Sequence, residues 1–426
     1  MPSATRVTGF PITAPSRSAC ACHELPAMTF WRVTFPLSFV NFINQAARAV
    51  MALIGPALAL EFGLSAADLG LLSASLFVAY CLMQLPVGIA LDLHGPRRVQ
   101  AAAAAVAAAG FAVSAMAAGP WSLAAGRFLT GLGVASALIG ILKAHTAWYP
   151  KERVAGLTGI AIFIGSTGGL LVTLPLQAVL PTIGWRGAFW AMAGVAVLVS
   201  IAIAVLVPPS PRREAGRPLG EVIRELGPII ASPVFIRMVP AIIVLNALHF
   251  TFQSLWLGPW LRDVAGLDEA TRAGTLLVYA LGAMAGNLLM GQASTAWQLR
   301  GGSAFAVPVL AMFGMLSVQS LLLLPGHAGL PVALLWAGFA LVGSCASSAY
   351  AAVAQCYAPA VAGRVSTAVN AIMLALVFLL QSGIGAVLDL WPRTASGGWD
   401  AAGYGWALAG CFVLQAATVL WMALRR

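Results

Sequence analysis

Charge is the scarcest property of this sequence. Asp, Glu, Lys and Arg make up 8% of its 426 residues, against 60% hydrophobic residues. A soluble domain of that length needs a charged exterior, so the balance excludes one and makes lipid the solvent. Acid is scarcer than base, with 13 Asp and Glu against 23 Lys and Arg. All 13 acids fall in loops, tails or helix ends, so none is placed to neutralise a cation at mid-membrane. Long polar segments are missing too. The one sizeable hydrophilic interruption, 208–232, is too short for a signalling domain, which disfavours a transporter-like sensor. The spans show no metal-spaced His/Asp/Glu cluster and no nucleophile–base pair, so an intramembrane enzyme is disfavoured and no cofactor is expected.

Cysteine is sparse as well. Cys81, Cys345, Cys356 and Cys411 fall in apolar runs, where a small apolar side chain explains them. Cys20-Ala21-Cys22-His23 has metal-ligating residue types but no second half-site, so no metal is expected there. Residues 1–28 contain no run like a signal peptide and read as an unstructured tail, with Met28 a candidate start.

What the chain does have is apolar runs. Twelve are long enough to span a bilayer, which takes about 20 residues: 33–60, 67–91, 99–118, 121–146, 156–180, 187–207, 234–261, 271–295, 304–325, 331–356, 365–390 and 403–424. With the N-terminus inside, 16 of the Lys and Arg fall in cytoplasmic segments, 4 in external ones and 3 within spans. That asymmetry fits the positive-inside rule for an even number of spans and places both termini in the cytoplasm of a bacterial inner-membrane protein. The net charge of +10 therefore reports topology, and no nucleic-acid partner is expected.

One short polar gap carries a specific pattern: Gly88-Ile-Ala-Leu-Asp92-Leu-His-Gly95-Pro-Arg97-Arg98. Gly88 suits close approach of a neighbouring helix. Asp92 suits a pair with a cation or a helix N-terminus, and Arg97 and Arg98 hold the loop inside. The stretch resembles the loop between the second and third helices of the major facilitator superfamily, G-x3-D-(basic)-x-G-(basic)-(basic). Leu93 and Pro96 stand at two positions that are basic in that pattern. Gly126-Arg127-Phe-Leu-Thr-Gly131-Leu-Gly133 resembles the superfamily's R-x3-G-x-G motif in the fourth span. The resemblance implies an all-α membrane fold of twelve helices in two six-helix bundles. It also implies a gating role for Gly88, Asp92, Gly95, Arg97, Arg98 and Arg127. For Arg127 and Lys143, each near a span end, snorkelling to the interface is the competing reading.

The chain also repeats itself. Phe30-Trp31-Arg32-Val33 matches Phe235-Ile236-Arg237-Met238 at an offset of 205, and Gln84, Gly88 and Arg97 match Asn287, Gly291 and Arg300 at an offset of 203. Thr295 stands where Asp92 stands in the first copy, so the latch is expected to be stronger in the first half. Two sets in one order point to parallel six-helix repeats. The expected organisation is a tail at 1–28, a first bundle at 29–207, a linker at 208–232 with a short surface helix, and a second bundle at 233–426.

Polar residues inside the spans mark a solute path. Asn41, Asn44, Gln45 and Arg48 lie within about 100° on one face of the first span. Asn246, His249 and Gln253 repeat Asn41, Asn44 and Arg48 at the offset of 205. In the superfamily the first and seventh helices face each other across a central cavity, so the resemblance implies two opposed stripes around a substrate. Trp256 lies near the same face as a stacking group, an outer gate or an interfacial belt residue. Gln84, Asn287 and Asn370 are further lining candidates, as are Tyr80, Tyr350 and Gln381. A free imidazole titrates near neutrality, so His249 is the candidate for proton coupling.

An arginine uncompensated by carboxylate favours an anionic solute. Gly184-Trp185-Arg186-Gly187-Ala188-Phe189 resembles the G-W-R-x-x-F of organic-anion members, which commonly carry an arginine in the first helix. Gly165-Ser-Thr-Gly168-Gly169 resembles the antiporter motif G-P-x-x-G-G, with Ile164-Gly165 in place of Gly-Pro. The reading is a secondary transporter, acting as a monomer in lipid, that takes up a carboxylate-like solute with protons. The alternative is an efflux antiporter for amphipathic compounds.

Overall fold

The structure, a computed structural model, describes residues 28–210, 219–395 and 397–424. The Cys20–His23 tract and Arg212, Arg213 and Arg217 lie outside the described residues, as do Arg425 and Arg426. Among the described residues every regular element is helical, as lipid demands of a chain that forms no closed barrel.

The helices are α1 (Phe30–Glu61), α2 (66–94), α3 (96–115), α4 (Pro120–Trp148), α5 (Lys151–Leu171) and α6 (Leu174–Leu206). A shorter α7 (Leu219–Ile230) joins these to α8 (Pro233–Asp263), α9 (Glu269–Leu299), α10 (Ala306–Leu323), α11 (Val332–Ala354), α12 (Pro359–Leu388) and α13 (Ala401–Leu424). Omitting α7, twelve helices remain among the described residues; ten stretches, with α2 and α3 joined in one of them, are long and apolar enough to cross a membrane, and α5 adds a shorter apolar run, Gly156–Leu171. α2 and α3 run on as one 50-residue stretch, Ala66–Ala115. A straight helix of that length would reach about 75 Å, more than twice the hydrocarbon thickness. Gly95 resolves this: at φ 78° and ψ 161° it breaks the helix, in a region of backbone space that residues with a Cβ avoid.

The structure shifts one expected boundary. The fifth span ends at Leu171, not near 180, and residues 174–183 belong to the start of α6, which bends at Gly184 with φ 63°. Pro175 is the reason, because it opens the new helix where its missing N–H costs nothing.

Packing follows side-chain size. α3 is alanine-rich and lies close to α4, and α5 lies against α1. The latter contact is close enough that a Cβ on Gly168 would sit 2.1 Å from the Phe42 carbonyl oxygen. Gly165-Ser-Thr-Gly168-Gly169 is thus the seat of α1.

The first six spans meet the last six along α2 against α12, and along the end of α1 against the end of α8. A Cβ on Gly258 of α8 would fall 1.6 Å from the Ala52 carbonyl oxygen of α1. Hydrogen bonds between Gln177 and Glu269, from Ala66 and Ala67 to Asp389, and from Arg393 to the Leu64 carbonyl all lie at this Glu61 end. This end of the molecule is shut. At the opposite end, the last turns of α4 and α11 make no comparable contact among the described residues.

Candidate functional site

Arg48 is the centre of the candidate site. It is 5% exposed. Its guanidinium carbon lies 5.7 Å from the Phe77 ring centroid, 5.0 Å from Tyr80 and 4.6 Å from Phe250. Phe77 and Tyr80 come from α2 and Phe250 from α8, so both six-span sets share the charge. The Tyr350 phenol of α11 is within electrostatic reach, and its hydroxyl has no hydrogen-bond partner. Among the described residues no carboxylate pairs with Arg48, and its Nε is unbonded. Burying a lone cation costs several kcal/mol. Cation–π contacts return about 0.5–2 kcal/mol each, which offsets that cost in part and leaves a strong demand for an anion.

The rest of the α1 stripe divides. Asn44 donates its amide N–H to Asn41 Oδ1 at 3.3 Å, leaving its own Oδ1 unpaired. Asn41 and Gln45 face α5. A Cβ on Gly165 would sit 2.2 Å from the Asn41 amide nitrogen, and one on Gly169 would touch the Gln45 Cβ at 3.9 Å. Asn41 and Gln45 thus also pack against the α5 glycines.

On α8, Asn246 is buried and donates to the Ile242 carbonyl of its own helix at 2.8 Å, with its Oδ1 unpaired. The His249 ring is flat against Tyr279, with 7° between planes. Its Nδ1 lies 2.9 Å from the Tyr279 hydroxyl and its Nε2 3.4 Å from the Ser344 hydroxyl. Phe250, the next residue, is the one that touches Arg48. Gln253 is half-buried with an unpaired Oε1, inside a wide turn at Phe252–Trp256. Such π-helical turns recur at functional sites. Trp256 is fully buried, so it is not an interfacial belt residue. It donates Nε1–H to the Gln381 carbonyl of α12 at 3.1 Å and meets Trp399 edge-on, both within the last six spans. Gln84 is buried with its Oε1 unpaired, Asn287 donates to the Ala283 carbonyl of its own helix, and Asn370 is half-buried on α12.

The loop residues gather at the end away from Glu61. Asp92 is paired with Lys143, and Arg97 donates to the Ala204 carbonyl of α6 at 3.1 Å through Nε and 2.5 Å through Nη2. Arg98 is exposed. Gly88 has open space where a Cβ would go, so its expected close helix contact is not made in this conformation. Arg127 departs from the snorkelling reading, whereas Lys143 keeps a part-exposed place near the end of α4. Lys143 is paired, and Arg127 is wholly buried, donating Nη1–H to the Ala47 carbonyl at 2.6 Å with Nε and Nη2 unbonded.

Sequence reasoning passed over one cluster. His145 of α4 is buried between Thr34 of α1 (3.1 Å) and Thr158 of α5 (2.8 Å), and Thr34 also reaches the Tyr149 hydroxyl at 2.9 Å. It ties three spans together at the end away from Glu61.

The sequence model described as Major Facilitator Superfamily matches residues 37–382. The chain belongs to that superfamily. Among curated superfamily relatives, it is 31% identical over 177 residues to the "Uncharacterized transporter YybO" of Bacillus subtilis (strain 168), covering 41% of this chain and 40% of that one. It is 28% identical over 188 residues to the 4-hydroxybenzoate transporter PcaK of Pseudomonas putida, covering 43% and 41%. The matched stretch thus spans less than half the length of these relatives. A D-xylose-proton symporter has the same fold, with a TM-score of 0.72 at 15% identity over 92% of this chain and 97% of that one.

Proposed function

We propose that this superfamily member is a secondary transporter for a small organic monoanion, above all a carboxylate. It works by alternating access from the bacterial inner membrane, as a monomer with both termini in the cytoplasm. One observation carries the reading: a buried arginine, enclosed by aromatic rings from both six-span sets, with no carboxylate among the described residues to neutralise it. The similarity to a 4-hydroxybenzoate transporter is consistent with it. The alternative is efflux of amphipathic compounds, whose sequence support is the apolar cavity and Gly168-Gly169, the latter packed against α1.

The carboxylate pairs with Arg48. The buried, unpaired polar groups of Asn44, Gln253 and Tyr350 supply further contacts, since rotating a terminal amide exchanges acceptor for donor. With the Glu61 end shut, the solute meets the site from the Arg97 end. Transport then requires the Glu61 end to part while the other closes.

His249 couples protons in this scheme. A protonated His249 would add a second cation near Arg48, within its electrostatic reach. A bound carboxylate offsets that repulsion, so anion and proton favour each other's binding reciprocally and travel together. The test is flux into liposomes from a panel of monocarboxylates, dicarboxylates and neutral sugars, with and without an imposed pH gradient. Carriage of neutral solutes that survives Arg48→Ala would sink the anion reading. A pH-gradient dependence unchanged in His249→Gln would remove the coupling role.

A further inference from the structure

Two polar cavities flank the turn between α2 and α3. Asp92 and Lys143 line the first. The second, of about 380 Å³, lies between the start of α3, the end of α6 and Pro209–Ser210. His94, Gly95, Arg97 and Arg98 face it, together with Ala204 and Ser210, and among the described residues no acid does.

Three features of this second cavity point one way. First, the break at Gly95 brings the opening turn of α3 to its wall, and the leading N–H groups of a helix have no partner within it. Second, the Ala204 carbonyl holds the Arg97 guanidinium through Nε and Nη2. Its Nη1 is left uncommitted among the described residues. Third, the exposed His94 and Arg98 have no ion pair among the described residues, and the neighbouring Asp92 is already taken by Lys143. Two guanidinium groups, an imidazole and a helix N-terminus thus line a space without counter-charge among the described residues. A tetrahedral oxyanion with several acceptor atoms satisfies all of them at once.

We infer that this cavity binds a phosphate group. The two sources are the headgroup of an anionic phospholipid and a soluble phosphate. The location favours neither over the other chemically, but basic pockets at the cytoplasmic ends of spans are where lipid phosphates come within reach. An occupant bridges the α2–α3 turn to the end of α6 and the first residues of the connection to α7. It therefore steadies the loop that carries Asp92.

Native mass spectrometry of the full chain in detergent tests this. The probes are phosphatidylglycerol, zwitterionic phosphatidylcholine and inorganic phosphate, each added separately. The variants are His94→Gln/Arg98→Gln, which alters only exposed side chains, and Arg300→Gln as a control for lost charge elsewhere. Phosphatidylglycerol retained over phosphatidylcholine identifies the lipid source. Retention of inorganic phosphate, or its displacement of the lipid, identifies the soluble one. Either binding should weaken about fivefold or more in the double variant, from about 1 kcal/mol per basic residue, and stay within twofold in Arg300→Gln. Equal retention by the native chain and the double variant, or an equal loss in Arg300→Gln, would overturn the assignment.

Discussion

Asp389, just past the end of α12, gives one carboxylate oxygen to the Ala66 N–H and the other to the Ala67 N–H, each at 2.8 Å. Ser65 supplies the Asp68 N–H with its acceptor at 3.0 Å. The opening turn of α2 is therefore capped partly by its own loop and partly by the opposite six-span set. A helix start that needs a partner from across the interface is complete only while that interface is shut. The capping thus belongs to one conformation and vanishes in the other.

Replacing Asp389 with Ala should tilt the conformational balance toward parting of the Glu61 end. An anion at a helix N-terminus contributes about 0.3–1 kcal/mol at an exposed position, so the shift is modest, at most about fivefold. A cysteine at Gln253 in an otherwise cysteine-free chain reports it through labelling by an impermeant maleimide from outside. Asp389→Asn keeps the shape and loses the charge, so its labelling rate should fall between the two. Identical rates in all three would show that the cap does not bias the gate.

Two glycines make opposite predictions from the same geometry. Gly258 lies against Ala52 across the interface, whereas Gly168 lies against Phe42 within the first six spans. Overpacking costs about 1–3 kcal/mol. Gly258→Ala has an escape, because parting the interface relieves the clash. It should raise labelling at position 253 by roughly 5–150-fold with little change in melting temperature. Gly168→Ala has no such escape, since α1 and α5 move together. It should lower the melting temperature and leave the labelling rate near that of the native chain.

The overall fold was legible because span length, charge asymmetry and the Gly95 break each act on a local stretch of chain. The site was legible in part. Arg48 stands out as a cation in an apolar run, but periodicity says which residues share a face and not what that face meets. So Asn41 and Gln45, on the same face as Arg48, also lie against the glycines of α5, a neighbour that periodicity does not name. Phe250 was unremarkable among 19 phenylalanines, although its ring comes closer to the guanidinium than Phe77 or Tyr80 does. Asp389 reads as an ordinary acid at a span end. Its partners are backbone N–H groups, which a sequence does not display.

Acid should loosen the start of α9. Asp268 is the N-cap, accepting the Thr271 N–H at 2.8 Å, and the Thr271 hydrogen bonds hold its carboxyl below the usual carboxylate range. A depressed folded value means the cap is fully present above the unfolded pKa, about 3.9. It is lost as pH falls through the folded value. Amide exchange in the first turn of α9, corrected for intrinsic rates, should therefore accelerate below about pH 4. The same turn in Asp268→Asn should show a weaker pH dependence. Equal dependence in both chains would assign the acid effect to another group.

The most informative substitution is at Arg48, where Lys and Gln separate charge from geometry. The guanidinium is flat, weakly hydrated and enclosed by three rings, which suits arginine better than an ammonium. If the charge is what binds a carboxylate, Arg48→Gln should abolish uptake. Losing a buried charge-assisted contact costs about 2–5 kcal/mol, or roughly 30-fold and upward in apparent affinity. Arg48→Lys should retain measurable uptake with weaker affinity, because the charge persists while the paired N–H donors do not. The folded state makes the opposite demand. Removing a lone buried cation relieves desolvation, so Arg48→Gln should melt no lower than the native chain. Loss of uptake in a variant of undiminished stability would assign Arg48 to the solute. A variant that melts earlier and loses uptake in proportion would assign it to the fold.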